Sequence, residues 1–352
     1  MSRAVVVSLT QPRTVALVQA PTRPLGPDKV RIRTLLSGVS AGTELAFYRG
    51  TSPYLHKRWD PDRRLFMPDA QVAVSYPITT WGYEEIGEVV EAGSATEVPL
   101  GTRVYGTWGH RSEHIAPASY ARERSLPARV PTEVGIFSHI GPIALNGVLD
   151  TAVRLGETVA VFGLGVVGQL AAQLLRLAGA RVIGVELLAE RRAIAARLGT
   201  PDLVDPTNTS VAEAIKALTG GRGADACVEA SGSTRALHEA IRACAYNARV
   251  VALGFYQGEA AGLALGEEFH HNRISLVCSQ IGGIAPELQH RWDRARLVQT
   301  FMRLAFSGDV RCAELITHRV PASEAASLYR LIDEQPQAVL QAVLDFSAVD
   351  AG

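Results

Sequence analysis

The sequence predicts an α/β protein in which a small β-barrel precedes a doubly wound parallel sheet. Three observations carry this. Residues 157–186 read as strand, glycine turn, helix and strand. Strands and helices keep alternating up to residue 254, the rhythm of an open parallel sheet. Residues 27–37 and 84–106 alternate apolar and polar side chains between glycine turns, as antiparallel strands of a small barrel do. At 352 residues, 47% of them hydrophobic, the chain holds material for two domains.

The N-terminal stretch has a short apolar run followed by polar residues, without the core and cleavage site of a signal peptide. Over the whole chain 35 Lys and Arg balance 35 Asp and Glu, so there is no basic excess to attract nucleic acid. After the first barrel segment, residues 54–64 combine Tyr54 and Trp59 with His56, Lys57, Arg58, Arg63 and Arg64. This reads as a loop with two alternatives. Lys57, Arg58, Arg63 and Arg64 meet an anionic substrate, or Asp60 and Asp62 balance them on a solvated surface.

Residues 157–163 form a short apolar, β-branched run, which reads as a buried parallel strand. Gly163-Leu164-Gly165-Val166-Val167-Gly168 follows, then a helix over 169–178 and a second strand over 180–186. In this pattern Gly163 makes the tight turn, Gly165 lets the backbone approach a pyrophosphate, and Gly168 lets helix and strand pack closely. The helix N-terminus then offers free N–H groups to phosphate. Glu186 ends the second strand, where a carboxylate accepts ribose hydroxyls. The expected cofactor is NAD, because that carboxylate would repel the 2′-phosphate of NADP. NADP stays possible through Arg191 and Arg192, which otherwise are solvated charges on the next helix. Residues 158–175 carry no charge, but Gly163, Gly165, Gly168, Gln169 and Gln173 interrupt them. A strand, turn and buried helix explain that stretch without a membrane span, and a soluble cytoplasmic protein is expected.

Further strands are expected at 224–230 and 248–254, with helices at 209–219 and 234–245. Their turns, Ser231-Gly232 and Gly254-Phe255, fall at strand carboxyl ends, the edge where such sheets bind ligands, and are assigned to the nicotinamide half. The four cysteines are Cys227, Cys244, Cys278 and Cys312. No two are close enough for a CxxC metal site, and none suggests a disulfide framework. Cys227 is placed in a strand and Cys244 in a helix, both as core. His270 and His271 would point apart on a strand, and residues 289–296 show helical spacing.

Three blocks together resemble the medium-chain dehydrogenase/reductase superfamily, the zinc-type alcohol dehydrogenase-like group. They are Gly38-Val39-Ser40-Ala41-Gly42-Thr43-Glu44, then Gly82-Tyr83-Glu84-Glu85-Ile86-Gly87 continuing to Gly101-Thr102-Arg103-Val104, then Leu155-Gly156-Glu157 running into the glycine turn. The resemblance implies a GroES-like β-barrel catalytic domain over 1–140, a Rossmann cofactor domain over 141–284, and a C-terminal return to the catalytic domain over 285–352. It also implies a homodimer or homotetramer joined through the cofactor-domain sheet, with residues 274–281 as a plausible apolar edge strand. Near the first block, residues 54–64 would border the substrate cleft. The Ser40-to-Glu44 version further resembles the bacteriochlorophyllide dehydrogenase-like branch, which suggests a secondary alcohol on a larger molecule such as a sugar, polyol or pigment.

The departures from that family set the chemistry. Its zinc enzymes carry a cysteine ligand near Ser40 or Ala41, a histidine where this chain has Tyr83, and a third ligand near His139. Cysteines of a structural zinc lobe would lie between Gly93 and the glycine turn, and this chain has none there. No zinc is therefore expected, although Glu84 and His139 with Glu44 or His110 stay open as an unusual site. Without a Lewis acid, hydrogen-bond donors or a general acid–base must act on the carbonyl or alcohol. Thr43 matches the family's proton-relay position, Tyr83 offers a phenol, and His139 can shuttle a proton. Ser40 and Glu84 complete the candidate catalytic set, each with a structural alternative: turn chemistry for Ser40, a buried bonded carboxylate for Glu84. The first reading is a zinc-independent NAD(P)-dependent alcohol dehydrogenase or ketone reductase acting on a small-molecule substrate. Its alternatives are an NADPH-dependent enone or quinone reductase and a non-catalytic NAD(P)-binding protein. The double-bond reductases usually carry Ala-x-x-Gly-x-x-Gly at the turn, so Gly163, Gly165 and Gly168 favour the first.

Overall fold

The computed structural model describes residues 3–68 and 72–348. They divide into two units, one made of the stretches up to His139 and from Ile316, the other of Ile140–Leu315.

The first unit begins with the antiparallel pair β1 (Arg3–Gln11) and β2 (Thr14–Pro21). In β3 (Lys29–Val39) period-two alternation buries Val30, Ile32 and Leu36 and leaves Lys29, Arg31 and Arg33 outside or at the rim. α1 (Ala41–Arg49) closes at Gly50 in the left-handed conformation, φ 78°. Residues 54–64, expected as a loop, instead contain β4 (Arg58–Asp60), which forms a hairpin with the following β5 (Leu65–Met67). Aromatic packing explains it: Phe66 lies edge-on to Trp59 at 5.0 Å and to Tyr54 at 5.3 Å. β6 (Glu85–Ala92) pairs with β3 and with β7 (Arg103–Gly106), and β8 (Glu113–Pro117) pairs with the first half of β3 ahead of α2 (Ala118–Glu123). Arg31 bridges its neighbours, reaching Glu91 at 2.8 Å and Glu113 at 2.9 Å.

The second unit opens with α3 (Ile140–Asp150) and the fully buried strand β9 (Thr158–Phe162). α4 (Val166–Leu177) starts three residues earlier than the sequence suggests, with Gly165 as its cap. Then come β10 (Arg181–Val185), α5 (Ala189–Arg197), β11 (Asp202–Val204), α6 (Val211–Leu218), β12 (Ala224–Glu229) and α7 (Thr234–Ala243). β13 (Cys244–Ala252), β14 (Ser275–Cys278) and α8 (Arg294–Ser307) complete it. The six strands are all parallel and ordered β11-β10-β9-β12-β13-β14. The order reverses between β9 and β12, the switch point at which such sheets open a crevice for a dinucleotide.

Several local expectations change. Cys244 is not helical: it is extended (φ −66°, ψ 149°) and begins β13, so α7 ends at Ala243. It stays in the core, its sulfur 3.4 Å from that of Cys227. His270 and His271 follow the helical turn Leu265–Phe269 rather than lying on a strand. Residues 289–293 stay outside α8, because Asp293 caps it by accepting from the Arg296 amide at 2.7 Å. α8 belongs to the second unit rather than to the return expected from residue 285. The reason is packing: a Cβ on Gly141 of α3 would sit 2.1 Å from the Phe301 ring of α8.

The chain then returns to the first unit with β15 (Ile316–Pro321), α9 (Ala325–Glu334) and β16 (Gln341–Asp345). β16 runs antiparallel to the end of β3, Val39 facing Ala342 and Leu36 facing Asp345. Among the described residues no helix is long and apolar enough to cross a membrane.

Candidate functional site

Ser40 caps α1 and Thr43 stands one turn later, so their side chains share one side of the helix start. Tyr83 enters from the segment before β6. Its hydroxyl hydrogen-bonds to Ser40 Oγ and donates to Thr43 Oγ1 at 3.1 Å. His139 ends the short helical run Thr132–Ser138, its ring 4.6 Å from that of Tyr83 and tilted by 57°. Four of the five candidate catalytic residues therefore meet. Ser40 is buried, Tyr83 and His139 are half-buried, and Thr43 is exposed. Burial first, and then the charge of Glu84, raise the Tyr83 pKa despite the bonds from Ser40 and Thr43. The phenol is thus a hydrogen-bond donor rather than a base near neutral pH.

Glu84 does not join this group. Its carboxylate is fully buried and accepts from Gln341 Nε2 of β16 at 3.0 Å, while Oε1 has no hydrogen-bond partner among the described residues. Burial, then the charges of Glu44 and Glu85, push its pKa well above the usual carboxylate range.

Beneath the hydroxyls lies a network that the sequence motifs do not reveal. Glu44 Oε1 accepts from the Ser40 amide at 3.0 Å. Glu44 Oε2 meets His110 Nε2 at 3.0 Å and accepts from the Tyr329 hydroxyl of α9. His110 Nδ1 lies 2.7 Å from Ser37 Oγ, whose own proton goes to Glu85. Ser37 is therefore the acceptor, and both ring nitrogens of His110 donate. Burial would lower the His110 pKa, but the charge and hydrogen bond of Glu44, with Glu85, raise it overall. The result is a buried imidazolium–carboxylate pair.

The side chains nearest the family's zinc-ligand positions are mostly hydroxyls. The metal takes thiolate, imidazole or carboxylate, whereas two of the positions nearest the family's ligands hold the neutral hydroxyls of Ser40 and Tyr83, bonded to each other. Glu44 and His110 are spent on one another, and among the described residues no three His, Cys, Asp or Glu side chains gather as a metal site.

In the second unit the glycine turn fits a dinucleotide. Gly163 takes φ 83°, and a Cβ there would strike Ser231 at 2.7 Å. At Gly165 a Cβ would meet only Arg191, at 3.8 Å, so the backbone is open to a ligand. At Gly168 it would sit 1.9 Å from Gly163 O, the close helix–strand approach. Leu164 is buried, and Val166 and Val167 begin α4 half-buried. Glu186 is buried and accepts from Leu164 N at 2.7 Å and Leu188 N at 3.0 Å, so it also shapes the turn. Arg192 is engaged with Glu186 O, Leu187 O and Asp205. Ser231, Gly232, Gly254 and Phe255 lie on the turns that follow β12 and β13.

Residues 166–297 match the family model described as zinc-binding dehydrogenase. The chain is 33% identical over 337 residues to D-guloside 3-dehydrogenase of Escherichia coli, covering 93% of this chain and 96% of that protein. It is 28% identical over 293 residues to (R,R)-butanediol dehydrogenase of Bacillus subtilis, covering 73% and 77%. A zinc-binding dehydrogenase of Sinorhizobium meliloti, solved with NADP, superposes with a TM-score of 0.76 at 22% identity, covering 98% of this chain and all of that one. Motifs, strand order and a 33% identical relative matched over nearly the whole chain agree: the chain belongs to the medium-chain dehydrogenase/reductase superfamily and is an NAD(P)-dependent dehydrogenase.

Proposed function

We propose that the protein interconverts a secondary alcohol and a ketone on a glycoside- or polyol-like substrate, with NAD as the cofactor and without zinc. The observation that carries this reading is the Ser40–Tyr83–Thr43 hydroxyl cluster beside His139. The substrate class is supported by the relative named D-guloside 3-dehydrogenase, similar over nearly the whole chain. The choice of NAD rests on the Glu186 carboxylate at the end of β10, facing the turn amides.

The nicotinamide, when bound, supplies the hydride acceptor. The first unit must then hold the substrate oxygen and remove its proton. Tyr83 stays protonated and, when substrate is bound, turns its one O–H from Thr43 to that oxygen while accepting from Ser40, and His139 accepts the substrate proton as the carbonyl forms. The Glu44 carboxylate, kept below the hydroxyls by its pairing with His110, holds Ser40 in place through its amide. The edge strand β14 exposes Leu276, which supports a homodimer or homotetramer joined along that sheet.

The test is cofactor reduction by metal-analysed, chelator-treated protein, using methyl glycosides, polyols, simple secondary alcohols and enones. Turnover of glycosides or polyols without metal is expected. Tyr83→Phe should lower kcat on the order of 100-fold, the usual effect of losing one donor at the reacting oxygen. Turnover of enones alone, a stoichiometric metal required for activity, or full activity in both Tyr83→Phe and His139→Ala would overturn the reading.

A further inference from the structure

Glu229, the last residue of β12, is fully buried at the strand next to the switch point. Its carboxylate gathers donors from two different turns. Oε1 accepts from the Ser231 amide at 2.8 Å and from the Ser231 hydroxyl. Oε2 accepts from the Gly232 amide at 3.1 Å and from the Tyr256 hydroxyl. The main-chain carbonyl of Glu229 accepts from Leu253 and Gly254, both at 2.8 Å.

The turns so joined are in van der Waals contact. A Cβ on Gly254 would lie 2.3 Å from Gly232 N and 2.9 Å from Glu229 Oε2, and one on Gly232 would lie 2.7 Å from Phe255 O. Ser231 in turn closes on Gly163 of the glycine turn. The carboxyl ends of β9, β12 and β13 thus form one block with no room for a methyl group. A carboxylate is costly to bury unless its lone pairs are met. Here all four donors come from the two turns, so the charge serves to hold them.

We propose that Glu229, with Tyr256, is a positioning residue for the nicotinamide–ribose half of the cofactor: it fixes the Ser231-Gly232 and Gly254-Phe255 turns that hold that half. The adenosine half depends instead on the glycine turn and Glu186. This rests on the NAD(P) reading of the second unit and assigns a role that the motifs do not.

The division between the halves supplies the test. ADP-ribose carries the adenosine half and the pyrophosphate but no nicotinamide. In Glu229→Gln the carboxamide must face at least one of the four donors with its own NH2 group. We expect this variant to weaken NADH binding, read by nucleotide fluorescence, about tenfold or more, with ADP-ribose affinity by calorimetry held within about twofold. Tyr256→Phe removes one hydroxyl without burying a new polar group, should fold normally, and should shift NADH in the same direction by a smaller factor. If Glu229→Gln does not fold, Tyr256→Phe decides alone. Equal weakening of both ligands, or no change in either, would overturn the positioning role. Failure of the wild-type protein to bind NADH, NADPH or ADP-ribose would instead remove the cofactor reading, and this proposal with it.

Discussion

Replacing His110 with glutamine is expected to destabilise the first unit by about 3–5 kcal/mol, the usual cost of breaking a buried ion pair from one side. Unit charges 3.0 Å apart attract by roughly 5 kcal/mol at an effective dielectric of about 20. His110 is 1% exposed and Glu44 2%, so water cannot stand in for the lost partner. Glu44 would keep the Ser40 amide and the Tyr329 hydroxyl, which favours the lower end of that range. Adding Glu44→Gln removes the stranded charge, so the double variant should be more stable than His110→Gln alone, by at least ~1 kcal/mol. Urea unfolding followed by the fluorescence of Trp81 and Trp108, both buried in the first unit, measures the cycle. The pH dependence has a fixed sign. The folded pKa of His110 is raised, so its stabilisation is complete below the unfolded value of about 6.5 and is lost as pH rises through the folded value. The gap between wild type and His110→Gln must therefore narrow with rising pH. Additive single variants with a pH-independent gap would refute a buried imidazolium.

Glu84 has the same sign by a different route. Its raised pKa makes its burial harmless below the unfolded value of about 4.3 and increasingly costly as pH rises above it, so Glu84→Gln should flatten the loss of stability with rising pH, as thermal melts across a pH series would show. The two glycines of the turn should separate folding from binding. Gly165→Ala makes only an ordinary contact with Arg191 at 3.8 Å and should melt like the wild type while losing cofactor affinity, whereas Gly168→Ala, 1.9 Å from a carbonyl oxygen, should cost at least ~1–3 kcal/mol of stability. Glu186→Ala should reduce the preference for NAD over NADP in kcat/KM about tenfold or more; an unchanged ratio would place the discrimination elsewhere.

The cofactor unit was legible because its signals are local. Gly163, Gly165, Gly168 and Glu186 fall within one strand–helix–strand passage, and each glycine occupies the position its spacing implies. Element ends were less legible. Cys244 has a helical neighbourhood in sequence, but the pairing of β12 with β13 draws it into the sheet. Residues 54–64 look like a charged loop until Phe66 packs edge-on against Trp59 across a hairpin. Ser40, Thr43, Tyr83 and His139 could be nominated only through the family resemblance, because their meeting depends on tertiary structure. The support beneath them is the least visible. Glu44, His110 and Tyr329 come from α1, the approach to β8 and α9, and no spacing rule joins residues so far apart. Glu229 carried a faint signal, an acid that follows the apolar run Ala226–Val228 and stands next to Ser231-Gly232.

The return of the chain to its first unit has a consequence for synthesis. Residues 140–315 are continuous, so that unit can fold once they have left the ribosome. The first unit cannot be completed then, although its barrel strands emerged earlier. The end of β3 must wait for β16, and Glu44 must wait for Tyr329. Until residues 325–345 are released, the hydrophobic side chains that later share a core with Tyr329, among them Val7, Leu9 and Trp81, lack their cover. A stalled or C-terminally clipped chain would therefore present a finished nucleotide unit joined to an unfinished and sticky partner, a natural substrate for chaperones and proteases.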